Sequence, residues 1–267
     1  MLITRVLTGV VLAPLLYLVV WRLPENYFTA LALLASGLGQ HEIYVMARKR
    51  GVRPLEVLGI LCGLLLLAAG PGLVRAPGIW GVFSVAFAVL AVFIVRLALP
   101  RPVEGALEDI GVTVLGIFYV SLFFGFQVLI LQWMNGRAWL TFLYLVIWAS
   151  DIGAYFVGTA FGKHRLYEKI SPKKSIEGLV GGLAASAGVA LCCRIWFFPG
   201  IGSFEIALLA VVLAVMGTIG DLAESLIKRG AGVKDSGVII PGHGGILDRM
   251  DSMLFAAPLL FFYLTLK

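Results

Sequence analysis

Long apolar segments separated by short polar stretches run along the whole chain. A helix that crosses a membrane needs about 20 mostly apolar residues. Nine segments approach that length, at residues 2–21, 27–46, 55–71, 79–98, 109–132, 138–161, 177–198, 204–227 and 248–266. No run of ~10 residues alternates between polar and apolar side chains, as a transmembrane β-barrel would require. The pattern therefore predicts an all-α, polytopic integral membrane protein.

Basic residues are divided unevenly between the two sets of loops that alternate along nine such spans. The set that includes the N-terminus carries 16 Lys and Arg residues, and the other set carries five. Loops rich in Lys and Arg stay in the cytoplasm. We therefore expect a cytoplasmic N-terminus. The compactness of the chain indicates a prokaryotic source, so we expect the membrane to be the cytoplasmic (inner) membrane.

Composition agrees with this interpretation. The 267 residues are 60% hydrophobic and only 13% charged, with a mean hydropathy of +0.99. These values exclude a disordered chain and an ordinary cytosolic enzyme. The net charge of +6 follows from the basic loops, so we expect no nucleic-acid partner. Cys62, Cys192 and Cys193 lie in apolar stretches without the spacing of a zinc site or a disulfide framework.

Charged residues are scarce in the first half of the chain. His41 and Glu42 lie near the end of the second apolar segment, where a structural role is favoured over a place at the rim of a site. Three acidic residues, Glu104, Glu108 and Asp109, flank the start of the fifth segment, and we expect them to form a solvated face.

The second half places an aspartate in the middle of an apolar segment. Asp151 lies more than one helical turn from either end of segment 138–161, and Tyr155 follows at i+4 on the same helix face. A charge at that depth is costly and marks a functional site by default. We expect Asp151 and Tyr155 to line a polar cavity that opens to the cytoplasm.

A basic loop follows this segment. It contains Ser171-Pro-Lys-Lys-Ser175 and leads into the next segment, which Ser175, Glu177 and Gly178 are suited to begin. Lysines and hydroxyls at a helix N-terminus form an anion site. The alternative is a set of charges that binds lipid headgroups.

The densest polar stretch lies between residues 217 and 252. Asp221, Glu224, Ser225 and Lys228 share one helix face, and Asp248 and Asp251 share a face of the next helix. A glycine-rich turn, which favours close approach of backbone N–H groups to an anion, separates them. Carboxylates that bind a divalent cation beside basic residues are what phosphoryl or nucleotidyl transfer requires.

The same stretch resembles the signature of the CDP-diacylglycerol synthase, or phosphatidate cytidylyltransferase, family. The matching string is Ser225-x-Ile-Lys-Arg-x₄-Lys-Asp-x-Gly-x₂-Ile-Pro-x-His-Gly-Gly-Ile-x-Asp-Arg-Met-Asp251. The resemblance extends to Asp151-x₃-Tyr155, to the Ser-Pro-Lys-Lys-Ser loop and to Gly220-Asp221-x₂-Glu224-Ser225. Many members have Thr where this chain has Ser175, and the hydroxyl is retained.

The resemblance implies a membrane enzyme that joins CTP and phosphatidic acid to give CDP-diacylglycerol and pyrophosphate. It implies Mg²⁺, in a site for two cations, held chiefly by Asp221 and Asp248, with Asp251 and Glu224 as outer members. Asp151 and Lys228 would complete the catalytic group. The expected substrate-binding residues are Lys173, Lys174, Ser171, Ser175, Glu177, Tyr155, Ser225, Arg229, Lys234, Asp235, His243, Gly244, Gly245 and Arg249.

The expected organisation is one membrane domain over residues 1–267. Within it, residues 1–135 would form N-terminal helices for packing and lipid contact, and residues 136–267 the catalytic helices with their cytoplasmic loops. Membrane lipids are further partners, and the glycine-rich segments leave room for a homodimer.

Three other functions compete with this one. In an ion- or proton-coupled transporter, Asp151 and Asp221 would form a relay, but the chain has no inverted repeat. A CDP-alcohol phosphotransferase would need a spaced aspartate motif beginning Asp-Gly, which is absent. A polyprenol kinase is disfavoured by the Pro-Gly-His-Gly-Gly turn.

Overall fold

The computed structural model describes residues 14–75, 79–239 and 244–267, and the side chains of residues 71–75 and 79–80 are not part of that description. Its helices are α1 (residues 14–21), α2 (Glu25–Arg48), α3 (Glu56–Arg75), α4 (Ile79–Ala98), α5 (Ala106–Leu115), α6 (Phe123–Leu131), α7 (Gly136–Phe161), α8 (Ile176–Phe197), α9 (Ser203–Gly230) and α10 (Leu247–Thr265). A π-helical segment, Gly116–Leu122, connects α5 to α6.

Five helices in the described ranges are long and apolar enough to cross a membrane: Gly81–Ala98, Ala106–Leu131, Gly136–Phe161, Ile176–Phe197 and Ser203–Gly230. Helices α2 and α10 overlap two further predicted segments but carry polar residues, Gln40-His41-Glu42 in α2 and Asp248-Arg249-x-Asp251 in α10. The mostly helical fold class is confirmed, and the count of nine spans stays a prediction.

One small sheet interrupts the helices. Strands β1 (Arg165–Tyr167) and β2 (Ser171–Ser175) pair in antiparallel fashion, so the basic loop is a hairpin and not an irregular segment. Ser175 ends β2 and also caps α8, because its Oγ accepts a hydrogen bond from the Gly178 amide at 3.1 Å. This cap confirms the predicted start of the helix.

The chain divides into two compact units. The first comprises Met1–Gln132 with Gly230–Arg249, and the second comprises Trp133–Arg229 with Met250–Lys267. The core of the first unit contains a buried polar chain in which Gln40 Nε2 donates to Ser121 Oγ at 2.7 Å and Tyr44 donates to the Thr113 carbonyl at 3.0 Å. These hydrogen bonds connect α2 to α5 and to the π-helical segment, and they satisfy polar groups that burial would otherwise penalise.

Asp109, expected on a solvated face, is buried in the first unit instead. Its carboxylate accepts hydrogen bonds from the Arg53 amide at 2.7 Å and from Arg96 Nε at 3.1 Å. Its neighbours Glu104 and Glu108 are exposed, as expected. The prediction for Asp109 is wrong because two partners distant in sequence compensate the burial of its charge.

In the second unit, α7 and α8 pack with their backbones close together. A Cβ added at Gly153 would lie 2.6 Å from Ala185 Cβ, and one at Gly182 would lie 2.7 Å from the Ser150 carbonyl oxygen. Glycine allows this approach because it has no side chain to separate the helices. The close contact brings the middle of α7 beside the first half of α8, and this pair of helices supports the site.

Candidate functional site

A polar cavity of about 300 Å³ lies in the second unit. Six residues expected at a site from the sequence line it together: Asp151, Tyr155, Lys173, Lys174, Ser175 and Asp221. They come from α7, β2 and α9, whose polar residues are separated by up to 70 positions in the chain. The cavity thus combines two carboxylates with two lysines at the N-terminus of α8.

An ion pair in the cavity joins β2 to α9. Lys174 Nζ lies 2.6 Å from Asp221 Oδ2, and both side chains are partly exposed. Ser225 Oγ, one turn further along α9, donates to Asp221 Oδ1 at 3.3 Å. The Lys174 ammonium therefore offsets the negative charge of Asp221.

A third carboxylate, that of Asp251, belongs to α10. At Gly220 the two helices are so close that an added Cβ would lie 2.5 Å from the Asp251 carbonyl oxygen. The Asp251 carboxyl group is repelled by the charge of Asp221 and forms a side-chain hydrogen bond with Glu224. The Glu224 carboxylate, only 1% exposed, also pairs with Lys228 at 2.8 Å. Among the described residues, no three His, Cys, Asp or Glu side chains converge closely enough to hold a metal ion by themselves.

Asp248 organises a loop of the first unit. Its Oδ2 accepts hydrogen bonds from the Ser236 amide at 2.9 Å, the Ser236 hydroxyl at 2.9 Å and the Gly245 amide at 2.8 Å. Gly244 adopts φ +83°, a conformation that glycine takes without strain. One oxygen of Asp248 thus holds the glycine-rich turn to the start of α10. His243, expected in this turn, lies outside the described residues.

Sequence reasoning did not identify the partner of this loop. Glu42 of α2 is 2% exposed and accepts hydrogen bonds from Ser236 Oγ at 2.8 Å, from the Ile246 amide at 2.8 Å and from the Leu247 amide at 3.0 Å. In the sequence, Glu42 is a lone carboxylate near the end of an apolar segment, and this position does not indicate which residues it contacts. His41, its neighbour, pairs instead with Glu56 at 2.5 Å.

The other expected site residues have separate surroundings. Glu177 binds the hairpin through His164 Nδ1 at 2.6 Å and the Lys163 amide at 3.1 Å, and Ser171 pairs with Tyr167 across the strands. Arg229 donates to the Ile170 carbonyl at 3.4 Å. Lys234, Asp235 and Arg249 are exposed residues of the first unit.

Two cavity residues escaped the sequence reasoning. Thr218 precedes Asp221 by three positions and Ser150 precedes Asp151 directly, and both line the cavity. Thr218 donates to the Ala214 carbonyl of its own helix at 2.9 Å. The i, i+3 spacing to Asp221 was the available signal for Thr218, whereas Ser150 gave none.

The fold and the cavity define a helical membrane protein with lysines beside carboxylates in one cavity, a description that suits a transporter as well as an enzyme. Comparison with known proteins decides between them. The chain belongs to the cytidylyltransferase family, whose model matches residues 3–267. It is therefore a nucleotidyltransferase, and the resemblance drawn from its motifs is confirmed.

Relatives of this chain carry a more specific name. A phosphatidate cytidylyltransferase of Bacillus subtilis is 34% identical over 98% of this chain and 97% of its own length. One from Synechocystis is 32% identical over 90% of this chain and 89% of its own. One from Staphylococcus saprophyticus is 44% identical over 57% of this chain and 58% of its own length.

Proposed function

We propose that this chain is a phosphatidate cytidylyltransferase, which converts CTP and phosphatidic acid to CDP-diacylglycerol and pyrophosphate. The observation that carries the proposal is the cavity in which Asp221 and Lys174 form an ion pair beside Asp151 and the capped start of α8. The names of the relatives support the choice of substrates.

The reaction replaces one phosphoanhydride bond by another. An oxygen of the phosphatidate phosphate forms a bond to the α-phosphorus of CTP. The bond from that phosphorus to the bridging oxygen breaks, and pyrophosphate leaves with the electron pair. The attacking phosphate monoester is already ionised near neutral pH, since its second pKa is about 6, and therefore needs no strong base. Catalysis then depends on bringing two anions together and stabilising the charge.

Lysines and a helix N-terminus supply the positive charge. Lys173 and Lys174 line the cavity next to the first turn of α8, where unpaired backbone N–H groups favour an anion. We propose that these groups bind substrate phosphates, with Arg229, Arg249 and Lys234 as further phosphate contacts. Lys228 is held by Glu224, and its proposed role is to compensate the buried acidic group.

The carboxylates fit a divalent cation by their chemistry. Asp221 and Asp251 offer oxygen ligands. The Lys174 ammonium already occupies a position beside Asp221 that favours positive charge. Mg²⁺ takes one or two carboxylates and completes its coordination with substrate phosphates and water. Two carboxylates therefore suffice, and Glu224, which interacts with Asp251, is already paired with Lys228. When bound, the cation would neutralise charge on the phosphates. A second cation is part of the proposal.

The finer topology is also proposed here. We propose nine spans, a cytoplasmic N-terminus and a location in the cytoplasmic membrane. The five apolar helices of the described ranges and the bacterial relatives support a membrane protein of a bacterium. Val238, 91% exposed, offers a probe position. A cysteine there should react with a membrane-impermeant reagent only in inverted vesicles, and reaction in right-side-out vesicles would contradict the orientation. A homodimer stays a prediction.

A turnover assay tests the function. Purified protein in detergent receives CTP labelled in the cytidine, together with phosphatidate and Mg²⁺. The proposal expects a lipid-soluble cytidine label and release of pyrophosphate. A lipid kinase would leave the label in water-soluble CDP, and a CDP-alcohol phosphotransferase would not consume CTP. Either result, or no turnover by folded protein, contradicts the proposal.

A further inference from the structure

Glu42 connects two parts of the first unit that are about 200 residues apart in the chain. Its Oε1 accepts the Ile246 amide, and its Oε2 accepts the Leu247 amide and the Ser236 hydroxyl. Leu247 is the first residue of α10, so the carboxylate caps the helix from outside its own sequence. A negative charge at that end is favoured by the helix dipole and by the unpaired N–H groups.

The loop is shaped to admit this carboxylate. A Cβ added at Gly237 would lie 2.6 Å from Glu42 Oε1, and one at Gly245 would collide with both Glu42 and Ser236. A side chain at either position would therefore push Glu42 out of place. The approach of α2 itself is also tight, because a Cβ at Gly39 would lie 3.2 Å from Leu247 Cδ2.

Ser236 joins Glu42 to Asp248. Its hydroxyl lies 2.8 Å from Glu42 Oε2 and 2.9 Å from Asp248 Oδ2, while its amide donates to Asp248. A hydroxyl has only one proton to donate, so the two carboxylates compete for it. The Ser236 side chain thus sets the distance between the carboxylates of Glu42 and Asp248. A displacement of Glu42 would move Asp248 through Ser236, and the first turn of α10 through the Leu247 amide.

We infer that Glu42 is a positioning residue for the reaction. It fixes Ser236, Ile246 and the start of α10, and with them the position of Asp248. The inference rests on the proposed function. It assigns a role to an N-terminal helix, whereas all the site residues implied by the motif resemblance lie after residue 150.

Glutamine is a near-isosteric test of this role. In Glu42→Gln one carboxylate oxygen becomes an NH₂ group, which cannot accept a hydrogen bond. Either the Ile246 amide or the Leu247 amide then faces a donor, so the loop must shift. Glu56→Gln is the matched control. Glu56 belongs to α3 and also pairs with α2, through His41 and Arg48. Its hydrogen bonds among the described residues do not involve Ser236, Ile246 or Leu247.

Two measurements follow for each variant: steady-state kinetics with CTP and phosphatidate, and hydrogen exchange of the peptide that covers residues 244–249. We expect Glu42→Gln to lower kcat/KM by ~10–100-fold, as loss of a supporting residue at a metal site typically does, and to speed exchange in that peptide. We expect Glu56→Gln to leave both near the wild-type values. Ser236→Ala, a smaller change, should produce the same two effects more weakly.

The outcomes separate three explanations. If Glu42→Gln lowers only thermal stability, with kcat/KM per folded molecule and exchange at 244–249 unchanged, the inference is overturned. If Glu42→Gln does not fold, Ser236→Ala takes its place. A loss of thermal stability in Ser236→Ala, with kcat/KM and exchange at 244–249 unchanged, then overturns the inference. If wild-type protein shows no turnover, the proposed function fails, while the exchange measurement still reports whether Glu42 holds the loop.

Discussion

The ion pair between Lys174 and Asp221 makes opposite predictions for stability and for activity. Lys174→Gln removes an ammonium that lies 2.6 Å from a carboxylate, but both side chains are more than a quarter exposed. Pairs with that much solvent contact contribute about 0–1 kcal/mol to stability. The variant should therefore fold and unfold much as the wild type does.

Activity should respond more strongly. If Lys174 binds a substrate phosphate during the reaction, the lost contact is a charge-assisted hydrogen bond, which contributes roughly 1.5–3 kcal/mol. Since about 1.4 kcal/mol corresponds to tenfold, kcat/KM should fall by roughly 10- to 150-fold. Lys169→Gln provides the control, because Lys169 belongs to the same basic hairpin but does not line the cavity.

The assay measures CDP-lipid formation against CTP and phosphatidate concentration for both variants, with thermal unfolding in detergent as the check on folding. Equal kinetics for Lys174→Gln and Lys169→Gln would refute the assignment. Lys174 would then contribute only to the positive charge of the set of loops that carries 16 basic residues, where the loss of one charge has little effect.

Three further predictions concern the carboxylates and the helix contacts. Asp221→Asn should abolish CDP-lipid formation in protein that still folds by circular dichroism, because a neutral amide is a poor ligand for a divalent cation; near-normal turnover at ordinary Mg²⁺ would rule out the metal assignment. Asp151→Asn should lower kcat/KM by ~10–100-fold if Asp151 supports the site, and full activity would show that it only lines the cavity. Gly220→Ala should lower thermal stability, by about 1–3 kcal/mol from overpacking against Asp251; the control Gly188→Ala, where an added Cβ meets no atom within 4 Å, should not, and equal melting temperatures would contradict the close approach.

The apolar pattern is sufficient to locate long helices. Predicted segments 138–161 and 177–198 correspond to α7, Gly136–Phe161, and α8, Ile176–Phe197, because a long apolar run has few structural alternatives and polar residues mark its ends. The Ser175 cap could be predicted for the same reason, since its partner is only three residues away. The sequence also determined the family, because the signature is a set of side-chain identities at fixed spacing and does not depend on packing.

Which charged side chains contact each other depends on how the helices pack. A helical pattern shows which face a residue occupies but not what that face contacts, so the pairing of Lys174 with Asp221 could not be derived from spacing. The hairpin was also missed, because strands of three and five residues carry too little alternation to detect. Asp109 and Glu42 are the clearest cases. Each is a carboxylate that is unfavourable to bury alone, and its burial becomes stable only when backbone N–H groups or an arginine from distant segments surround it.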